Sequence, residues 1–378
     1  MKVFKKALAV SLGALMVGTA MSGCAQATVF GNYPQDLSWS YKDSISTMSI
    51  GEYIYYQYMT FYSASQMVEN GTGDFLDQKL KDDDGNEMTA REYIEKTTDE
   101  ACKNFLYVNK TFDDMGLKLT ADEISSYEAS ADQDWSDVMK GFEAYGVSKE
   151  SFVDAGYANA AKRGAIFKAL YQEGGEKAVS LEEMTNYYEE NYVNYNYITV
   201  ALYDTTSDEQ NNITNTKKSD DAVKSIKANL DKYAKAINSG TSYSDEVKVY
   251  MEDYSIESDP TITATAILEN SGLGEELIKA FTGMKDGEAK YIVVGEDGDT
   301  PTAYLLYRGD IKEQSKRLES DSDLKYSTLV SMKNEEFQDY VKKQAQDYKC
   351  EINTSAIEKY PMTMFIIEPV SEESTTVE

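Results

Sequence analysis

Four segments in the first half of the chain begin with the same helix-starting pattern, and this repetition constrains the fold more than any other feature. Ser49–Glu52, Thr89–Glu92, Thr120–Glu123 and Ser180–Glu183 each place Ser or Thr three residues before Glu, at the head of a periodic stretch. In such a capping box the two side chains bond to each other's backbone amides and fix the first turn of a helix. Residues 45–192 are therefore predicted to be mainly helical.

The clearest single helix is predicted over residues 90–115. Its stripe residues recur at alternating intervals of four and three, which aligns them along one face: Ile94, Thr98, Ala101, Phe105, Val108, Phe112 and Met115. Gly116 follows at the position where glycine ends a helix. Further helices are predicted at residues 121–144, with a break, and at 149–172 and 181–191.

The pattern changes at residue 193, where runs of β-branched and aromatic residues begin to alternate with helical periods. This region reads as a compact αβ insert, and its irregular parts are expected at residues 204–216, a polar loop, and 255–273. Strands are predicted at 196–203, 290–294 and 303–307, and helices at about 217–238, 243–252 and 275–282.

The chain then returns to one long helix over about residues 320–348, with Phe337, Val341, Ala345 and Tyr348 on one face. A lone helix cannot bury such a stripe, so we expect it to pack back on the N-terminal helices. The predicted fold class is α+β, a discontinuous, mainly helical module with an inserted αβ domain. The predicted organisation is a signal peptide (1–23), a tether (24–44), a helical domain (45–192), the insert (193–312), the returning helix (313–360) and an acidic tail (361–378).

The first 23 residues read as an export signal. Lys2, Lys5 and Lys6 precede an apolar stretch that is shorter than the roughly 20 residues of a membrane span. The stretch ends in Met21-Ser22-Gly23-Cys24, which resembles the bacterial lipobox. The resemblance implies cleavage before Cys24, diacylation of its thiol and attachment to the outer face of the bacterial cell membrane. Two acyl chains hold a protein stably on a bilayer.

Composition excludes several classes of function. The formal net charge is −29, which opposes nucleic-acid binding because that requires a basic surface. Histidine is absent, which removes Ser-His-Asp and Cys-His nucleophiles and nearly all zinc sites. We therefore predict no metal and no cofactor. Cys102 and Cys350 are not spaced as metal ligands, and both a single disulfide and two free thiols are open.

Over residues 45–360 the chain resembles the PrsA/SurA group of extracytoplasmic folding factors. In that group a helical chaperone module surrounds a parvulin-type prolyl isomerase domain, and the resemblance implies the same arrangement here. The order and spacing of several stretches carry the resemblance: 115–124, 145–152, 179–191, 237–243, 254–255 and 277–288.

The insert departs from the parvulin pattern at the positions that matter most for catalysis. Tyr197 and Tyr304 stand where active members of the family usually have histidine, and Glu252-Asp253 is the nearest counterpart of the catalytic Cys or Asp. Prolyl isomerisation needs no covalent chemistry, only a pocket that favours the twisted amide. Tyr197, Phe281 and Tyr304 are the candidates to line it, and core packing is the alternative. We expect a weak or inactive isomerase, with an active one as the alternative.

The leading hypothesis is a lipid-tethered chaperone for unfolded or partly folded secreted polypeptides. The candidate client-binding residues form an aromatic run on the first helix: Tyr53, Tyr55, Tyr56, Tyr58, Met59 and Tyr62. Their spacing places them on more than one helix face, and packing inside the helical module is the alternative. A solute-binding lipoprotein and a passive cell-surface lipoprotein are the rival functions, and homodimerisation is open.

Overall fold

A computed structural model describes residues 33–36, 38–68, 75–82, 85–136, 140–208 and 210–366. The described residues divide into two compact units, one formed by those between 33 and 178 together with 333–366, and one formed by those between 179 and 332. The chain thus leaves the first unit once and returns to it, which confirms the predicted discontinuous α+β fold. Cys24 and the predicted signal peptide lie outside the described residues.

In chain order the helices are α1 (Ile50–Met67), α2 (Ala90–Asp114), α3 (Ala121–Asp134), α4 (Lys149–Val153), α5 (Asn159–Tyr171), α6 (Leu181–Asn191), α7 (Asp220–Asn238), α8 (Tyr243–Tyr254), α9 (Glu275–Thr282), α10 (Ile311–Ser315), α11 (Ser322–Gln346) and α12 (Thr354–Ile357). The strands are β1 (Trp39–Lys42), β2 (Thr47–Ser49), β3 (Lys79–Lys81), β4 (Glu87–Thr89), β5 (Val193–Ala201), β6 (Tyr203–Ser207), β7 (Ile213–Lys217), β8 (Ile262–Ala266), β9 (Ala289–Val294), β10 (Thr302–Arg308) and β11 (Glu351–Ile352).

All four capping boxes are present in the structure. Ser49, Thr89, Thr120 and Ser180 are the N-cap residues of α1, α2, α3 and α6. In each box the N-cap side chain accepts the amide of the glutamate three residues on, and that glutamate accepts the N-cap amide. The predicted helix starts are therefore confirmed, because the signal depends only on neighbouring residues.

The core of the first unit is closed by residues from both ends of the described chain. Strand β11 pairs with β1, which in turn pairs with β2, and both pairings are antiparallel. Near the C-terminal end Phe365 packs edge-on against Phe61 of α1, with 5.4 Å between the ring centroids. The ring centroid of Phe337 on α11 lies 5.3 Å from that of Phe167 on α5. The returning helix therefore buries its stripe against the N-terminal helices, as predicted.

The second unit is a four-stranded antiparallel sheet in the order β8-β5-β10-β9. One face carries Ile198 and Leu305 into a core with α7 and α8, and the other packs against α9. Every strand pairing in the described ranges is antiparallel, unlike the parallel sheet of a solute-binding protein. None of the helices in those ranges combines the length and the apolar character that crossing a bilayer requires.

Several sequence predictions are wrong in detail. The segment predicted as a tether contains β1, in which Tyr41 is 5% exposed. The tail predicted from residue 361 contains Met362 and Phe365, which are both buried in the core. The polar loop predicted at 204–216 is the hairpin of β6 and β7. These segments take their structure from contacts with distant residues or from backbone pairing between polar strands, so local pattern does not reveal them.

Two further differences lie inside elements of the structure. The region predicted as irregular, 255–273, contains β8, which forms the edge of the four-stranded sheet. The helix predicted over 149–172 is interrupted by a π-helical turn, Asp154–Ala158, in which the amide of Asn159 bonds to the carbonyl of Asp154. Cys102 and Cys350 are both free thiols in the structure, so of the two alternatives the disulfide is not formed.

The carboxyl of Glu52 differs from a typical capping-box acid because it is buried, with 5% of the residue exposed. Burial raises its pKa to about 7. Hydrogen bonds from Ser49 and the positive charge of Lys162 lower this pKa in part, and the carboxylate of Asp154 raises it.

We predict that Glu52→Gln removes a pH dependence of stability. Between pH 4.5 and about 7 the unfolded-state carboxyl is ionised while the folded-state carboxyl keeps its proton, so the wild-type protein loses stability as pH rises through this window. Glutamine retains the capping box. Urea unfolding from pH 5 to pH 8 should show the free-energy difference, variant minus wild type, rising by about 3 kcal/mol at most.

Glu92→Gln is the matched control, since Glu92 holds the same capping-box position in α2 but is exposed, and hydrogen bonds from Thr89 lower its pKa. The free energy of unfolding of this variant should change with pH in parallel with that of the wild type between pH 5 and pH 8. Parallel profiles for the wild type and Glu52→Gln would contradict the prediction.

Candidate functional site

The α9-facing side of the four-stranded sheet carries the aromatic residues singled out in the sequence. Side chains alternate along a strand, so Tyr195, Tyr197 and Thr199 of β5 share one face. In the antiparallel pairing with β10, Tyr304 lies opposite Thr199 and Leu306 lies opposite Tyr197. Tyr197 and Tyr304 are therefore diagonal neighbours on the same face, within reach of one another.

The rings form a continuous row. The centroids of Tyr197 and Tyr304 are 5.9 Å apart, those of Tyr195 and Tyr197 are 6.3 Å apart, and those of Tyr195 and Phe281 are 5.1 Å apart. We call these four residues, Tyr195, Tyr197, Phe281 and Tyr304, the aromatic face. Such spacings are those of favourable aromatic pairs.

Burial divides the aromatic face into a base and an accessible part. Phe281 on α9 is fully buried and Tyr195 is 4% exposed, whereas Tyr197 and Tyr304 are half-buried. Phe281 thus supports the face from below and does not line an open pocket, which corrects its predicted role. The ring of Tyr195 contacts both Phe281 and Tyr197, and so connects Phe281 to the two half-buried tyrosines. Sequence reasoning missed Tyr195 because the strand was predicted to begin at residue 196, whereas β5 begins at Val193.

The two accessible tyrosines keep their hydroxyl groups unpaired. Neither the Tyr197 nor the Tyr304 phenol makes a hydrogen bond to another residue within the described ranges. Burial raises the pKa of Tyr304, and the neighbouring Tyr197 adds to the shift. The face therefore offers two half-buried rings whose hydroxyls are free to bond to a ligand's backbone.

Apolar residues of the edge strands extend this surface. Ile262 of β8, which pairs with Tyr197, is 47% exposed. On the other side, Ile292 of β9 pairs with Tyr304 and is half-buried. The surface is thus suited to contact an apolar segment of polypeptide.

The nearest counterpart of a parvulin catalytic acid lies elsewhere in the second unit. Asp253 at the end of α8 accepts a hydrogen bond from the Tyr233 hydroxyl at 2.6 Å. Tyr233 belongs to the core on the opposite face of the sheet. The structure therefore does not bring Asp253 together with Tyr197 and Tyr304.

Four residues of the aromatic run on α1 are part of the core of the first unit. Tyr53 stacks on Tyr41, and Tyr55 packs on Phe152. The hydroxyl of Tyr56 donates to the carbonyl of Ala155 at 2.8 Å, and Tyr58 meets Phe142 with 4.7 Å between ring centroids. These four tyrosines therefore pack inside the helical module, which was the alternative to client binding.

The remaining two residues of the run have a different environment. Met59 and Tyr62 are half-buried, and neither belongs to the core cluster that contains the other four. A client-binding role on α1 stays a prediction, and its accessible candidates are these two side chains.

Comparison with known proteins finds similarity at the level of solved structures. The chain is similar to the crystal structure of foldase protein PrsA from Lactococcus lactis, with 14% sequence identity, a TM-score of 0.34 and coverage of 87% of this chain and 98% of that chain. It is also similar to PrsA from Streptococcus pneumoniae, with 12% identity, a TM-score of 0.37 and coverage of 76% and 100%. No family model and no curated protein matches the chain.

The division of the aromatic face into base and accessible part generates a stability prediction. Phe281→Ala should destabilise the second unit by about 3–5 kcal/mol, because it removes a fully buried ring. Tyr304→Phe should change stability by less than about 0.5 kcal/mol, since its hydroxyl has no partner to lose. Urea unfolding of both variants measures the difference, and a large cost for Tyr304→Phe would show that the phenol is structurally engaged.

Proposed function

We propose that this protein is a lipid-anchored extracytoplasmic chaperone that binds unfolded or partly folded secreted polypeptides, with a parvulin-like domain that is weak or inactive as a prolyl isomerase. The observation that carries the proposal is the half-buried pair Tyr197 and Tyr304, which presents aromatic surface and unpaired hydroxyls on a rigid sheet. Tyrosine suits adaptable recognition because it combines a large apolar ring with a polar tip.

We infer weak or absent isomerase activity because, among the described residues, Tyr197 and Tyr304 have no histidine and no catalytic acid beside them. Lowering a barrier of about 18–20 kcal/mol requires a site that binds the twisted amide better than the planar one. Two tyrosines replace the histidine pair of the resembled family, and Asp253 is held on the other side of the sheet. The face therefore supports binding of a chain segment more directly than catalysis on it.

The anchoring part of the proposal rests on the lipobox-like sequence at Met21–Cys24. With the thiol of Cys24 acylated, the protein would act where secreted chains emerge unfolded. The strong net negative charge of −29 favours a body that stands away from anionic lipid.

The chaperone activity is tested by light scattering from guanidinium-unfolded citrate synthase diluted into the purified full chain. We expect dose-dependent suppression of aggregation at near-stoichiometric ratios. Tyr197→Ala and Tyr304→Ala should each require several-fold more protein for half-suppression, because each removes apolar contact area. The conservative variants Tyr197→Phe and Tyr304→Phe keep the rings and should retain most of the effect.

Ile213→Ala is the surface control, since Ile213 is 71% exposed on the β6–β7 hairpin and lies outside the aromatic face. No suppression across several clients would overturn the chaperone proposal and favour a passive surface lipoprotein. Prolyl exchange in a proline-containing peptide, measured on the same samples, should stay close to the uncatalysed rate. A rate that rises strongly with protein and falls in Tyr304→Ala would instead identify an active isomerase.

Lipid attachment has a separate test. Mass spectrometry of the protein from a bacterial membrane fraction should find a mature chain that begins at a diacylated Cys24. Cys24→Ser should lose the acyl mass and move to the soluble fraction, because the membrane affinity of the protein comes from the acyl chains. A Cys24→Ser variant that stays on the membrane would contradict lipid anchoring through this residue.

A further inference from the structure

The first unit contains a cavity of about 420 Å³ that is separate from the aromatic face. This volume lies in the range of small ligand pockets. Its walls come from the β1–β2 turn, from the start of α1, from one face of α2, from the π-helical turn and from α5. The residues that matter for its chemistry are Glu52, Asp154, Lys162, Asn109, Phe105 and Phe112.

The charged groups around the cavity do not form a structural ion pair. In the described part of the chain, the Lys162 ammonium lies within 4.0 Å of neither the Glu52 nor the Asp154 carboxylate, although all three line the same space. Lys162 instead donates a hydrogen bond to Oδ1 of Asn109 at 2.6 Å. The carboxylates of Glu52 and Asp154 thus line the cavity without an ion-pair partner within 4.0 Å, and Asp113 adds a third acidic residue to the lining.

The carboxylates also have few hydrogen-bond donors. Among the residues that the structure describes, the Glu52 carboxylate accepts hydrogen bonds only from Ser49, and the Asp154 carboxylate accepts none. Burial raises the pKa of both groups, which reflects the cost of holding charge there without a partner. A ligand that brings N–H donors and positive charge would remove this cost.

The remaining walls are aromatic. Phe105, Asn109 and Phe112 follow at intervals of four and three residues and so lie on one face of α2, where Phe105 is buried and Phe112 half-buried. Aromatic rings accommodate an alkyl stem and attract a cation placed over their faces. The π-helical turn that supplies Asp154 is an irregularity frequently found at functional sites.

We propose that this cavity binds the cationic side chain of a lysine or arginine residue in a client polypeptide, with Glu52 and Asp154 receiving the charge and Phe105 and Phe112 flanking the alkyl stem. An anionic ligand fits less well, because the ammonium of Lys162 already has a partner and the carboxylates would repel it. The inference deepens the proposed chaperone function and rests on it, since it names a class of side chain that the client presents.

The test uses fluorescence anisotropy of the full chain with a fluorescein-labelled decapeptide that carries one central lysine among Gly, Ala and Leu residues. Its matched peptide has norleucine, which keeps the alkyl stem and removes the charge, in place of lysine. We expect the lysine peptide to bind about tenfold more tightly than the norleucine peptide to the wild type, and n-butylamine to compete only weakly.

Glu52→Gln keeps the capping box, and Asp154→Asn replaces a carboxylate that makes no hydrogen bond within the described residues, so both variants should fold. Each should weaken binding of the lysine peptide about tenfold and leave the norleucine peptide unchanged. Glu92→Gln controls for net charge, because it removes one negative charge from a capping box that does not line the cavity. It should bind both peptides like the wild type.

Equal affinity of the wild type for the two peptides, or full lysine-peptide affinity in both variants, would overturn the inference. In either case, suppression of citrate synthase aggregation that persists would leave the proposed function standing. Failure of both peptides to bind, together with loss of that suppression, would overturn both. Competition by n-butylamine as strong as by unlabelled lysine peptide would assign the cavity to free amines and overturn the polypeptide assignment.

Discussion

The first unit depends on closure of its core by residues that are far apart along the chain. Phe337 on α11 packs against Phe167 on α5, and Phe365 packs against Phe61 on α1. Strand β11 completes the sheet that β1 and β2 begin. Buried aromatic contacts of this kind contribute strongly to stability, so the helices before residue 178 cannot form their native core without the residues after 333.

This closure decides which aromatic side chains are available for binding. The tyrosines of α1 are surrounded by α4, the π-helical turn and the C-terminal segment, so that four of them serve the core. In the second unit the sheet has helices on both faces, but the short α9 covers one face only in part. Tyr197 and Tyr304 remain half-buried at this place, and the polypeptide-binding surface that we propose therefore lies on the insert.

The two proposed sites use different physical chemistry. The aromatic face offers apolar contact and unpaired hydroxyls, which select little among side chains. The cavity beside Glu52 combines aromatic walls with carboxylates that form no ion pair within 4.0 Å in the described structure, which favours a cation. An acidic chain with both features would bind apolar segments that carry scattered lysine or arginine residues. The capping role of Glu52 and its burial coincide because α1 begins directly at the cavity wall.

The sequence alone determined the helix starts, the main strands of the insert and the need for the C-terminal helix to return, because capping boxes and periodicity are local signals. It also selected Tyr197 and Tyr304, whose strands are clear in the pattern. Only the tertiary structure decided that Phe281 lies beneath the face, that Tyr195 links it to Tyr197, and that Tyr53 and Tyr56 are core residues. The polar hairpin of β6 and β7 and the cavity around Glu52 also depend on it. Burial and strand pairing arise from contacts between distant residues, and a periodic pattern shows which side chains share a face but not what covers that face.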